Sequence, residues 1–420
     1  MKMTLNLIGL WLTYMLLTTS LISCKKSDPE PEPSQSTVKL GAILDLTGPY
    51  SEEGIATRAT LEIALADLNR QYELIGSGTR FSISYLDGAM DTVKALDAAK
   101  QLYGSGVRMI VAGPNISAEL KAIKPWLDAN KMLVLNCFST TPALAIPDDY
   151  IFRLIPDDNV QGRAMARMLK TEGIETLVPV WCTDTYGMGL SESVRQHFTS
   201  LGGTVTEGVA YVTGAVNYST AMGQASAQVA EAIAQHGADK VAVMLISFQD
   251  APDFFTAAAA FPELGNVRWF GCDANTKKSS VIDNTNAAIF ASQVGFLAPV
   301  MAIGTASAVP EPAQALAARV KAVTGSDPDD MALSSYDALM IYAQCYNLCQ
   351  KYDAPTFKTI LPSICASYNY LGITRRLNEA GDLVSSNYIF WQVEPIAGGF
   401  AWNSYATWMS EGDYILYKIK

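Results

Sequence analysis

From Val38 onward, short apolar runs alternate with longer stretches whose apolar residues return every three or four positions. The short runs predict strands at Lys39–Leu46, Arg80–Leu86, Arg108–Ala112, Met132–Cys137 and Ile151–Leu154. A second series is expected at Thr176–Cys182, Thr204–Tyr211, Lys240–Ser247 and Val267–Cys272. The periodic stretches predict helices at Ser51–Arg70, Ala95–Tyr103, Ser117–Ala129, Gln161–Thr171, Gly187–Leu201, Tyr218–His236 and Pro252–Ala260. Val241 to Ile246 is apolar without a break, so that strand needs cover on both faces, as in a parallel sheet between helix layers. Alternation on this scale is the pattern of doubly wound α/β sheets. One series ends near Pro156 and the other starts near Gly173, so two lobes of similar build are expected. The last third adds predicted helices (Pro312–Lys321, Ser334–Gln350, Pro355–Leu361) and a β-rich tail (Tyr388–Val393, Gly399–Trp402, Tyr414–Ile419). Lacking a core pattern of its own, it is expected to extend both sheets.

The segment before Val38 has a different character. Lys2 precedes a mostly apolar run from Leu5 to Leu21, then Leu21-Ile22-Ser23-Cys24 and a Lys25-to-Pro33 stretch rich in charge and proline. A charged start, an apolar middle and a small residue before the cut read as an export signal. The Leu-x-Ser-Cys ending resembles the lipobox of bacterial lipoproteins, which implies a signal peptide over 1–23, lipidation of Cys24 and a flexible linker over 24–37. The alternative is an uncleaved anchoring helix, for which the run is short. In the lipoprotein reading the chain sits in the cell envelope, touching the membrane through its lipid anchor.

Hydrophobic residues at 49% and charged residues at 17% describe a well-buried globular chain, long enough for two domains. A net charge of −11 argues against nucleic acid, whose phosphates need a basic face. Beyond Cys24 there are six cysteines: Cys137, Cys182, Cys272, Cys345, Cys349 and Cys365. All six read as buried thiols; alternatively Cys345 or Cys349 pairs with Cys365. With His197 and His236 the only histidines, and neither at ligand spacing to a cysteine pair, no metal site and no cofactor is expected.

Ligands of open α/β sheets sit outside the carboxyl ends of the strands. The residues just past each predicted strand are Thr47-Gly48-Pro49-Tyr50, Asp87-Gly88, Gly113 to Ser117, Phe138 to Pro142, Thr183 to Gly187, Ser247-Phe248-Gln249 and Gly271-Cys272-Asp273. They are rich in hydroxyls, aromatics and glycine and hold no histidine. Gly-x-Ser-x-Gly, His-Glu-x-x-His and a Gly-Lys-Ser/Thr loop are absent, and Gly187-Met188-Gly189 lacks the third glycine of a dinucleotide fingerprint. Ser36-Thr37-Val38-Lys39 matches Ser-x-x-Lys but spans linker and first strand. Asp148/Asp149 and Asp157/Asp158 read as solvated loop charges. An enzyme is therefore not expected. Ligand capture has better material: Ser117 can cap the helix it opens, and Thr141 precedes Pro142 at a first helical position. Two helix starts with the Ser117 and Thr140 hydroxyls suit a carboxylate, or they serve as caps alone. Asp273 could meet an ammonium or be a surface acid, and Tyr186 and Phe248 are rim aromatics or core.

Taken together, these loops resemble the type I periplasmic binding proteins, specifically the branched-chain amino-acid (Leu/Ile/Val) binding family of ABC importers. The resemblance runs from about Val38 to the C-terminus. It rests on the order of Leu40 to Tyr50 with Gly54, Gly113 to Ser117, Ser139 to Leu144, Tyr186 to Gly189, Gly271 to Asp273, Tyr336-Asp337-Ala338, Gly372, and Leu377 to Asp382. It implies that Ser117 and Thr140 hold a ligand α-carboxylate with backbone help near Phe138 and Ser139. Asp273 would meet the ammonium and Tyr186 would cover the ligand from the other lobe. Tyr50 and Phe248 complete the candidate set. Three departures stand out: Phe138 replaces a small residue, Asp273 is shorter than the familiar Glu, and Met90 and Ile116 stand where some members carry a disulfide. The implied fold is two Rossmann-like doubly wound lobes, 38–155 plus 299–372 and 156–298 plus 373–420. Crossings are expected near Arg153–Pro156, Gln293–Ala298 and Gly372–Leu377. The implied function is monomeric capture of a small carboxylate-bearing ligand, an amino acid above all, for delivery to an ABC permease. The alternative is a sensing clamshell that signals to a receptor or regulator.

Overall fold

Every residue from Val241 to Ile246 is buried, as an apolar run between two helix layers must be. The computed structural model describes residues 36–215 and 217–418; the export signal, Cys24 and nearly all of the linker lie outside the described residues. Ser36 and Thr37, expected as linker, are instead the first rungs of strand β1 (Ser36–Leu44), paired with Thr79 and Arg80. Strands β2 (Thr79–Asp87), β3 (Met109–Ala112), β4 (Leu133–Asn136) and β5 (Ile151–Arg153) complete a first sheet in the order β2-β1-β3-β4-β5, parallel throughout. Helices α1 (Ser51–Leu74), α2 (Thr92–Gly104) and α3 (Ser117–Ala129) connect its strands.

Helix α4 (Asp158–Thr171) opens the second lobe, and α5 (Thr185–Ser200) packs against it. Strands β6 (Thr176–Cys182), β7 (Thr204–Val205), β8 (Val209–Tyr211), β9 (Val241–Ile246), β10 (Arg268–Phe270) and β11 (Leu297–Ala302) run parallel. The strand expected over Thr204–Tyr211 is two pieces, because Gly208 turns to φ +78 between them. Strand β11 keeps Pro299 to Ala302 in the second sheet, so the second crossing follows Ala302, later than the expected Gln293–Ala298. The segment beyond then crosses to the first lobe as α6 (Glu311–Thr324), α7 (Asp330–Cys349) and α8 (Ala354–Ser367). Helix α7 packs on α1 and β3 and is buried on nearly every side. The tail, β12 (Asn387–Ile396), β13 (Gly399–Met409) and β14 (Tyr414–Tyr417), adds antiparallel to β11 alone. The last third thus extends one sheet, not both: its helices cover the first sheet and its strands lengthen the second. The six cysteines among the described residues are free thiols, and burial pushes Cys345 up to about 12.

The crossings are tied by buried charge. Arg153, at the end of β5, pairs with Asp382 through Nε at 2.5 Å and Nη2 at 2.7 Å, and both side chains are fully buried. Arg375 on the third crossing donates to Asp337 on α7 and to the Leu154 carbonyl beside the first crossing. An interior ion pair can be replaced by apolar groups at little cost, but removing one partner strands the other charge. Asp382→Ala should lower unfolding free energy by about 3–5 kcal/mol in urea titrations; a loss within error would show that Arg153 is satisfied by carbonyls alone.

Candidate functional site

Two glycines let helices start hard against strand ends. A Cβ on Gly54 would lie 2.0 Å from the Asp45 carbonyl oxygen, and one on Gly187 would lie 2.2 Å from that of Cys182. Each close approach brings a tyrosine, Tyr50 just before α1 and Tyr186 in the first turn of α5, to the cleft between the lobes.

The first lobe supplies a polar wall. Asn136 Oδ1 accepts the Phe138 and Ser139 N–H groups, and Arg153 Nη1 donates to the Ser139 and Thr141 carbonyls, so the 138–141 loop is held from behind. Ser117 is not the cap expected of it: Ile116 occupies that position. Instead the Ser117 hydroxyl accepts from Thr140 N at 3.2 Å and Thr141 N at 3.4 Å, joining the two hydroxyl-bearing loops. Thr141 caps the short turn Pro142–Leu144 and donates across the cleft to the Thr185 carbonyl at 3.0 Å.

The second lobe supplies carboxyls and rings. Tyr186 donates its hydroxyl to Asp273 Oδ1 at 2.5 Å. Gln161 accepts from Asp273 N and donates to Asp158 Oδ1 at 3.1 Å, linking two buried acids. Asp158, expected as a solvated charge, is fully buried as the first residue of α4, while Asp157 is the cap. Asp149 is likewise buried, paired with Lys124. Burial and the Asp273 charge push the Asp158 carboxyl well above its ordinary range, and burial raises Asp273 as well. Two acids this close and this buried each make the other harder to ionise. Phe248 packs at 5.4 Å on Tyr186 and at 5.9 Å, edge to face, on Tyr50 of the other lobe.

These groups close on one cavity of about 20 Å³. Tyr50, Ser117, Phe138, Thr140, Tyr186, Phe248 and Asp273 line it, together with Asn115, Ile116, Ala274 and Met331. Ser139 does not: it is buried behind the wall, its carbonyl taken by Arg153. The lobes also touch beside the cavity, where Lys278 pairs with Glu53, both side chains buried, and Ser279 donates to Glu52 at 3.1 Å. Sequence reading missed Asn115, Asp158, Gln161 and Met331. Asn115 stood within a strand-end loop; Met331 lies in a helix with no local signal of facing a cleft, and Asp158 and Gln161 reach the site only through Asp273.

Two doubly wound lobes, joined by three crossings and facing each other across a cavity at their strand ends, define a two-lobed binding protein. The periplasmic binding protein family model matches residues 37–396, and the chain belongs to that family. An uncharacterised protein of Methanocaldococcus jannaschii is 24% identical over 373 residues, covering 84% of this chain and 86% of its own length. A leucine binding protein from Thermotoga maritima superposes with a TM-score of 0.68 at 21% identity, over 90% of this chain and 99% of that one. A solute binding protein from Rhodopseudomonas palustris, in complex with 3,4-dihydroxybenzoic acid, gives 0.68 at 16% identity, over 89% and 98%.

Behind Asn115, burial pushes Asp45 up to about 6, and burial with the Asp45 charge pushes Glu119 up to about 9. Both folded values lie above the ordinary 3.8 and 4.5, so the folded chain holds these protons more tightly than the unfolded one. Their contribution to stability is complete below about pH 4 and is lost as pH rises through about 6 and then about 9. Glu119→Gln should flatten the fall in urea stability between about pH 5 and about pH 9; an unchanged slope would mean that the pair is not protonated.

Proposed function

We propose that this chain captures a small α-amino acid between its lobes and presents the closed form to an ABC permease for import. The observation that carries the reading is the asymmetry of the cavity. The hydroxyl-bearing side chains of Ser117 and Thr140 stand on one side, and Asp273, linked through Gln161 to Asp158, stands on the other. A carboxylate suits the first wall and an ammonium the second. The similar structures divide on this point, one being a leucine binding protein and the other holding a dihydroxybenzoic acid. An aromatic acid brings no cation, so Asp273 and Asp158 would remain uncompensated beside a second anion. The family resemblance agrees on Ser117, Thr140, Tyr186 and Asp273 as contacts. Phe138, Phe248 and Tyr50 then bound the side chain and keep it small.

Closure is the output. Ligand binding both walls favours the arrangement in which Glu53 meets Lys278 and Tyr50 meets Phe248, and the population shifts by the ligand's differential affinity. Calorimetry against an amino-acid panel tests the ligand class, and binding of benzoates without any amino-acid response would sink it. Asp273→Asn should weaken the amino acid that binds by about 1.5–3 kcal/mol, the worth of a hydrogen bond to a charged group. In the same reading Cys24 carries lipid and keeps the monomer near its permease, raising local concentration. Cys24→Ala should move the protein from the membrane fraction to the soluble one, and retention at the membrane would mean a different anchor.

A further inference from the structure

Asn115 lines the cavity and is buried, yet half of its amide is idle. Its Oδ1 accepts the Asp45 backbone N–H at 3.0 Å. That bond fixes which end of the amide is which, because a backbone N–H needs an acceptor. The Nδ2 donor is left with no hydrogen-bond partner among the described residues. A buried donor without a partner is costly, and native interiors seldom keep one.

We propose that Asn115 is a specificity-determining residue that selects an α-amino acid whose side chain carries a neutral hydrogen-bond acceptor, a hydroxyl or a carboxamide. The inference rests on the amino-acid reading above and deepens it. An aliphatic side chain against Asn115 would leave its N–H groups dry. A hydroxyl or amide oxygen would satisfy one of them, and sites built to hydrogen-bond a substrate group discriminate strongly against the analogue lacking it. A carboxylate side chain is disfavoured for a separate reason. Asp45 and Glu119 are buried just behind Asn115. A further anion there would face acid groups with only one amide between. Threonine represents the class because it has a close apolar counterpart.

Threonine and valine have the same shape and differ by a hydroxyl for a methyl, so the pair isolates the donor. Calorimetry on the full chain should show threonine bound at least about tenfold more tightly than valine. Asn115→Leu should erase or reverse that ratio, with thermal unfolding run alongside to confirm that the variant folds. Valine binding as tightly as threonine to the unaltered protein overturns the inference whatever the variant does. A variant that weakens both ligands equally also overturns it, because Asn115 would then serve the α-carboxylate common to both. Failure of every α-amino acid to bind would remove the amino-acid reading itself, an outcome separate from a panel in which aliphatic members win.

Discussion

A buried guanidinium holds this molecule's parts in relation. Arg153 ends the last strand of the first sheet, and its side chain reaches Asp382 on the third crossing and the carbonyls of Ser139 and Thr141 in the cavity wall. Its backbone joins in, with Arg153 N donating to the Gly381 carbonyl and the Arg153 carbonyl accepting from Leu383 N. One residue therefore fixes two of the three connections between lobes and the loop that presents Thr140. Fully buried charge gains little net stability, and its more robust effect is to make one arrangement of neighbours far better than the rest. The Ser117 hydroxyl can bridge to Thr140 and Thr141 because Arg153 has already taken the carbonyls on the other side of that loop.

The two walls of the cleft are chemically unlike. The first lobe offers hydroxyls on loops held by the Asn136 and Arg153 side chains, and the second offers acids linked through Gln161 and capped by the Tyr186 hydroxyl. Beside the cavity the lobes meet through Glu53 and Lys278, with the Lys278 ammonium 5.0 Å from the centre of the Tyr50 ring. The ring that borders the cavity thus also borders the charge that joins the lobes. Movement of Tyr50 is felt at both.

Much of the fold is legible in the sequence because its central strands are short, apolar and bounded by helices with clear periodicity. The exceptions have physical causes. Strand β11 contains Pro299, a residue that argues against a central strand; β10 pairs with β11 at Leu297 alone, and the Pro299 carbonyl accepts the Thr276 hydroxyl instead. Composition also treats carboxylates as solvent-facing, so Asp158, Glu119 and Asp45 gave no sign of burial. Their cover is assembled from segments far apart in the chain. Ser117 illustrates the same limit at one atom: its place beside a helix start was readable, but the N–H groups it accepts lie on a loop more than twenty residues away.

The three crossings have a mechanical consequence. Two bodies joined by a single strand can swivel, twist and bend about it, and capture of a ligand would then have to select among many relative orientations. Three connections, two of them clasped together at Arg153, remove most of those freedoms and leave one soft rotation. Under the capture proposed above, opening and closing would then have few coordinates to travel, and ligands with different side chains would present much the same outer face.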